Sequence, residues 1–154
     1  MKKIKVLFVC LGNICRSPMA KFIFIDMLKN KGLEDKFIVD SAATSTEEVG
    51  NAIYYKAKQK LEKEKVKCDN HIAKQIEAED YNKFDYIIGM EDRNVTNIIK
   101  IVGKDTEGKV SKLLDFTNNS RDIADPWYTG NFDKTYNDIC IGCNAFLDFL
   151  IKND

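Results

Sequence analysis

Ile4 to Val9 is almost continuously apolar and rich in β-branched residues, a pattern that predicts a strand buried on both faces of a parallel sheet. Short runs of the same kind recur at Phe37 to Val39, Phe84 to Ile88 and Val110 to Leu114. Between them the period changes. Ala20, Ile23, Phe24, Met27 and Leu28 follow the i, i+3, i+4, i+7, i+8 spacing of an amphipathic helix, and Gly32 is placed to end it. Val95, Ile98, Ile99 and Val102 repeat the spacing. Phe132, Tyr136, Ile139, Cys140, Cys143, Phe146, Leu147 and Leu150 carry it through a long C-terminal helix. Strands alternating with helices predict right-handed crossovers and a parallel α/β sheet, with any ligand site beyond the carboxyl ends of the strands.

The 154 residues balance 24 basic against 24 acidic side chains, and 44% are apolar. A chain of this size buries roughly 70% of its unfolded surface, so one domain over residues 1–154 needs neither metal nor disulfide to hold a core. Zero net charge offers no general attraction to nucleic acid or to an anionic membrane, so anion recognition has to be local. No apolar run approaches the roughly 20 residues that span a bilayer. Met1 to Val9 begins like a signal peptide, but the apolar run ends in Gly12, Asn13 and Arg16 without a small-residue cleavage site, which favours a cytoplasmic protein. Its five cysteines are then expected as free thiols. Lys56, Lys58, Lys60, Lys63, Lys65 and Lys67 read as a solvated helix face, because no aromatic ladder accompanies them.

Candidate chemistry concentrates directly after the first strand, in the run from Cys10 through Leu11, Gly12, Asn13, Ile14, Cys15, Arg16 and Ser17 to Pro18. Gly12 and Asn13 tolerate the positive φ by which a loop turns several N–H groups inward. Ser17 and Pro18 read as the N-cap and first residue of the next helix. A loop closing on a helix N-terminus presents free amides and the positive end of the dipole to an anion, and a tetrahedral oxyanion fits that cradle. At its base, those amides, the dipole and Arg16 all favour the thiolate of Cys10, which makes it a nucleophile. The planar fork of Arg16 matches two oxygens of a phosphate, a geometry that lysine cannot copy.

The stretch Val6 to Pro18 resembles the signature of the low molecular weight protein tyrosine phosphatases. Val39 to Thr44, His71 to Ile76, Phe84 to Ile88 and Asp125 to Tyr128 match further blocks of that family in the same order. The resemblance implies an α/β three-layer sandwich, Rossmann-like, with a four-stranded parallel sheet flanked by helices and the phosphate loop between the first strand and the first helix. It implies no metal or organic cofactor; the balanced charge and short apolar runs already leave no nucleic-acid or membrane partner, and the chain is expected as a monomer. The implied reaction is hydrolysis of phosphotyrosine in proteins or peptides, and of small aryl phosphates, through a phosphocysteine, with inorganic phosphate released. On this reading the loop from Leu11 to Cys15 and Ser17 bind the phosphate, while Asn13, Ser17, Ser41 and His71 support the loop. Cys15 would also trap an oxidised Cys10 as a disulfide.

A thiolate expels a phenolate far more easily when an acid protonates it, an effect of about 10² to 10⁴ in rate. Asp125 is the candidate, because Pro126 biases it toward an extended loop with no helix expected before about Asn131. Trp127 and Tyr128 would wall the cleft with flat aromatic faces, core packing being the alternative. Two positions depart from the family pattern. Thr46, Glu47 and Glu48 stand where relatives often carry a ring-stacking aromatic, which bears on substrate preference; Glu91 replaces an aspartate and is not expected to touch the phosphate chemistry. An arsenate reductase on this scaffold would need further cysteines past mid-chain, and Asp69 to Ile139 contains none. Relatives that act on phosphoarginine tend to carry threonine where this loop has Ile14, so apolar Ile14 favours phosphotyrosine. Cys140 and Cys143 fall inside a helical pattern without a second pair or a nearby histidine, and read as packing rather than a metal or redox site.

Overall fold

The fold is that of a computed structural model describing residues 2–153; Met1 and Asp154, the ends of the expected domain, lie outside it. Four parallel strands, β1 (Ile4–Cys10), β2 (Phe37–Ala43), β3 (Tyr86–Gly89) and β4 (Val110–Lys112), form one sheet in the order β2-β1-β3-β4. The register pairs Cys10 with Ala43 on one side of β1 and Val9 with Gly89 on the other. The chain therefore leaves β1 first toward one edge and later toward the other. The carboxyl end of β1 is the point of reversal, where a sheet of this kind leaves a crevice open.

Among the described residues the α-helices are α1 (Arg16–Asn30), α2 (Tyr55–Lys63), α3 (Asp80–Lys83), α4 (Asp92–Val102), α5 (Pro126–Thr129) and α6 (Phe132–Lys152). Successive β1 side chains point to opposite faces, so Val6, Phe8 and Cys10 enter a core with α1, α2 and α6, while Leu7 and Val9 meet Ile87, Ile98 and Tyr81 on the other. Phe8, Phe24 and Phe146 pack ring against ring in the larger core. No helix among the described residues is long and apolar enough to cross a membrane.

Several local expectations need correction. β2 runs four residues past Val39, because Asp40 and Ser41 interrupt the apolar pattern without interrupting the ladder. β3 starts at Tyr86, and β4 ends at Lys112, where Leu113 and Leu114 turn into a 3₁₀ segment and bury both side chains. α1 begins at Arg16, with Cys15 at the N-cap and Pro18 in the third position, where an N–H has no intrahelical partner to lose. Ser17 does not cap, since its hydroxyl is engaged inside the loop. Asp125 is extended as expected, yet it caps the one-turn α5 by accepting from the Trp127 N–H at 3.0 Å, so helix begins before Asn131.

Candidate active site

The loop after β1 is shaped by what its carbonyls do. Leu11 O accepts from Ser45 N (3.0 Å) and Ser45 Oγ (2.9 Å), Asn13 O from His71 Nε2 (2.7 Å), and Ile14 O from Tyr54 N (2.8 Å). With those carbonyls tied outward, N–H groups of the loop are free to turn toward its interior. Two of them converge on sulfur: Asn13 N lies 3.3 Å and Ser17 N 3.4 Å from Cys10 Sγ. Ser17 Oγ accepts from Asn13 Nδ2 at 2.7 Å and lies 3.0 Å from Cys10 Sγ, a hydrogen bond that the hydroxyl donates whenever the sulfur is a thiolate.

Asn13 alone in this loop has positive φ, at 61°, and is fully buried; Gly12, expected to share that conformation, does not adopt it. A Cβ at Gly12 would sit 3.4 Å from Glu48 Cγ, an ordinary van der Waals contact, so neither backbone conformation nor space demands glycine there. Asn13 is held by donation from Nδ2 to Ser17 and Ser41 (3.0 Å) and by acceptance at Oδ1 from Lys74 N (3.2 Å). His71 is buried, which pushes its pKa down, and the bond to Asn13 O requires the proton on Nε2.

Arg16 is 1% exposed and surrounded by acceptors. Its Nη1 donates to Ile123 O (2.9 Å) and lies 3.1 Å from Glu91 Oε2, while Nη2 reaches Asp125 Oδ2 at 3.4 Å. Glu91 thus bears directly on the arginine of the loop, contrary to the expectation that it stands apart. Burial, then the nearby Cys10 and Asp125, push the Cys15 thiol pKa far up, so it stays protonated at neutral pH. Above the loop opens a cleft of about 140 Å³ walled by Ile14, Trp127 and Tyr128 on its apolar side and by Glu47 and Glu48 at its rim. Trp127 and Tyr128 are 53% and 77% exposed, so they are wall and not core.

The family model described as low molecular weight phosphotyrosine protein phosphatase matches residues 5–154. The chain belongs to this family. It is accordingly a phosphatase. It is similar to the low molecular weight protein-tyrosine-phosphatase YfkJ of Bacillus subtilis, 40% identical over 97% of both chains, and the crystal structure of YfkJ superposes with a TM-score of 0.96 over 100% of this chain and 98% of that one. It is 37% identical to PtpA of Staphylococcus aureus over 97% of this chain and 96% of that protein. A Drosophila arginine phosphatase shares the fold at a TM-score of 0.88, with 30% identity over 98% of this chain and 100% of that one.

Cys10, Arg16, Asp125, Trp127 and Tyr128, with the phosphate loop of the family, meet at this one cleft; Ser41 and His71 meet beneath it, against Asn13. Cys143 is buried in the core and Cys140 half-buried on α6, apart from the cleft. Sequence reasoning did not single out Tyr54, Ile123 or Lys74, whose contacts to the loop run largely through backbone atoms that any residue possesses.

Proposed function

We propose that this phosphatase hydrolyses phosphotyrosine and small aryl phosphates through a phosphocysteine on Cys10. The observation that carries the reading is the convergence on one cleft of Cys10, with two backbone N–H groups and the Ser17 hydroxyl on its sulfur, of Arg16 and of a carboxylate, Asp125. With Nη1 committed to Ile123 and Glu91, the Nε and Nη2 edge of Arg16, whose Nη2 also faces Asp125 at 3.4 Å, is the one that meets two phosphate oxygens. The Cys10 thiolate attacks phosphorus, the P–O bond to the ring breaks, and Asp125 delivers its proton to the departing oxygen. Water then attacks the phosphocysteine; its proton passes to Asp125, the P–S bond breaks, and inorganic phosphate and the thiolate are released. Ser17 Oγ and the inward amides stabilise the thiolate both as nucleophile and as leaving group.

Ile14, Trp127 and Tyr128 give an aryl ring apolar and aromatic surface, which supports phosphotyrosine over phosphoserine. Cys15, a protonated thiol in the same loop, is available to a sulfenic acid formed on Cys10. The decisive experiment compares turnover of phosphotyrosine peptide, phosphoserine peptide, phosphoarginine and arsenate. Phosphotyrosine is expected to dominate. Cys10→Ser should abolish turnover while phosphate still binds, and Arg16→Lys should be severely impaired because a point charge does not replace the fork. Full activity in Cys10→Ser, or faster turnover of phosphoarginine or arsenate, overturns the reading.

A further inference from the structure

Helix α5 is a single turn, too short to hold its place by its own hydrogen bonds. Yet it sets the carboxylate of Asp125. Oδ1 accepts from Trp127 N at 3.0 Å, and Oδ2 faces Arg16 Nη2 at 3.4 Å. The Trp127 backbone thus orients one oxygen of the carboxylate, and Arg16 faces the other. The indole of Trp127 is half exposed and meets the ring of Tyr54 edge-on, with centroids 4.7 Å apart and planes at 60°. Tyr54 is itself anchored twice. Its N–H donates to Ile14 O of the phosphate loop at 2.8 Å, and its ring stacks on Phe132, the first residue of α6, at 6.1 Å. One half-buried residue therefore joins the phosphate loop, the turn carrying Asp125 and the start of the long helix, without lining the cleft itself.

We propose that Tyr54 is a positioning residue, which holds Asp125 in its productive place by clasping Trp127 to the phosphate loop. The inference rests on the reading of Asp125 as proton donor. The clasp acts through the ring and the backbone N–H, so the hydroxyl is dispensable. Loss of the ring leaves the loop and Arg16 in place but lets α5 sample positions in which the acid misses the leaving oxygen.

The test measures kcat and KM for a series of aryl phosphates of increasing phenol pKa, with inhibition by inorganic phosphate alongside, for the full chain and four variants: Tyr54→Ala, Tyr54→Phe, Asp125→Asn and Tyr54→Ala/Asp125→Asn. The expected result is a loss of roughly three- to tenfold in kcat/KM, which reports only the steps up to departure of the phenol, for Tyr54→Ala on poor leaving groups and little loss on activated ones, with phosphate inhibition unchanged. Tyr54→Phe should restore the wild-type slope, and Tyr54→Ala should cost almost nothing on the Asp125→Asn background, since the two act in series. If Tyr54→Ala fails to fold, Tyr54→Leu, which keeps apolar bulk without a flat ring, takes its place. A uniform loss across the series, additivity with Asp125→Asn, or failure of Tyr54→Phe to restore the slope overturns the clasp while leaving Asp125 as acid. A flat leaving-group profile in Asp125→Asn itself overturns the acid assignment, and the clasp with it.

Discussion

Asn13 occupies a left-handed conformation that costs a non-glycine residue on the order of 1 kcal/mol or more, and its side chain and carbonyl together make four hydrogen bonds, to Ser17, Ser41, Lys74 and His71, that keep it there. Among these, the bond from His71 is the one that responds to pH. Burial disfavours the imidazolium, so the folded protein binds this proton less readily than the unfolded chain does. The stability this supplies is complete above the ordinary histidine pKa of about 6.5 and declines as pH falls from there through the lower folded value. Urea unfolding at pH 7.5 and pH 5.5 should show wild type losing more stability than His71→Gln over that interval. Equal losses would show that the neutral imidazole contributes nothing to the pH dependence.

At the scale of elements, the contact between α6 and the 3₁₀ segment that follows β4 decides how closely the long helix approaches the sheet. Gly142 lies inside α6, where alanine would ordinarily gain about 1 kcal/mol of helix propensity. Here a Cβ would lie only 2.5 Å from Leu113 Cγ, the branch point of a fully buried side chain that has no free direction to move. Overpacking of this kind costs about 1 to 3 kcal/mol, enough to outweigh the propensity gain. Gly142→Ala should therefore lower the melting temperature by a few degrees, with the phosphate loop and turnover at 25 °C little changed. A rise in melting temperature would mean that the helix shifts outward without cost. Elsewhere α6 is tied at its start by Lys60 to Asp133 (2.8 Å) and less than two turns on by a two-pronged Arg121–Asp138 pair, so such a shift would strain both ties.

For the whole molecule, zero net charge hides a local imbalance. The cleft that would receive a phosphate dianion has Glu47 and Glu48 at its rim and Asp125 and Glu91 beside its only arginine. Phosphotyrosine peptides with basic or neutral neighbours should therefore be turned over faster than acidic ones. The rim acts through solvent, so the preference in kcat/KM is expected to stay within about fivefold, to shrink in Glu47→Gln/Glu48→Gln and to weaken with added salt. A preference for acidic peptides that ignores ionic strength would assign selection to another surface.

What the sequence alone determined was everything carried by local order. The period of Ile4 to Val9 and of Phe132 to Leu150 marks buried strand and amphipathic helix, because side-chain direction repeats within a few residues. The run from Cys10 to Ser17 reads as an oxyanion cradle because nearly all of its parts are contiguous in the chain. Tertiary structure alone decided what closes around that cradle. Glu91 and Ile123 reach Arg16 across 75 and 107 residues, the one by an ion pair and the other by a carbonyl; Tyr54 reaches the loop by its N–H and Trp127 by its ring. The order of strands around β1 sets these meetings, and no periodicity within a single element encodes that order. The same physics explains the misplaced helix starts. Ser17 has the chemistry of a cap, and Asp125 stands before a proline as a loop residue would; which N–H each meets depends on where Cys10 and Arg16 hold them.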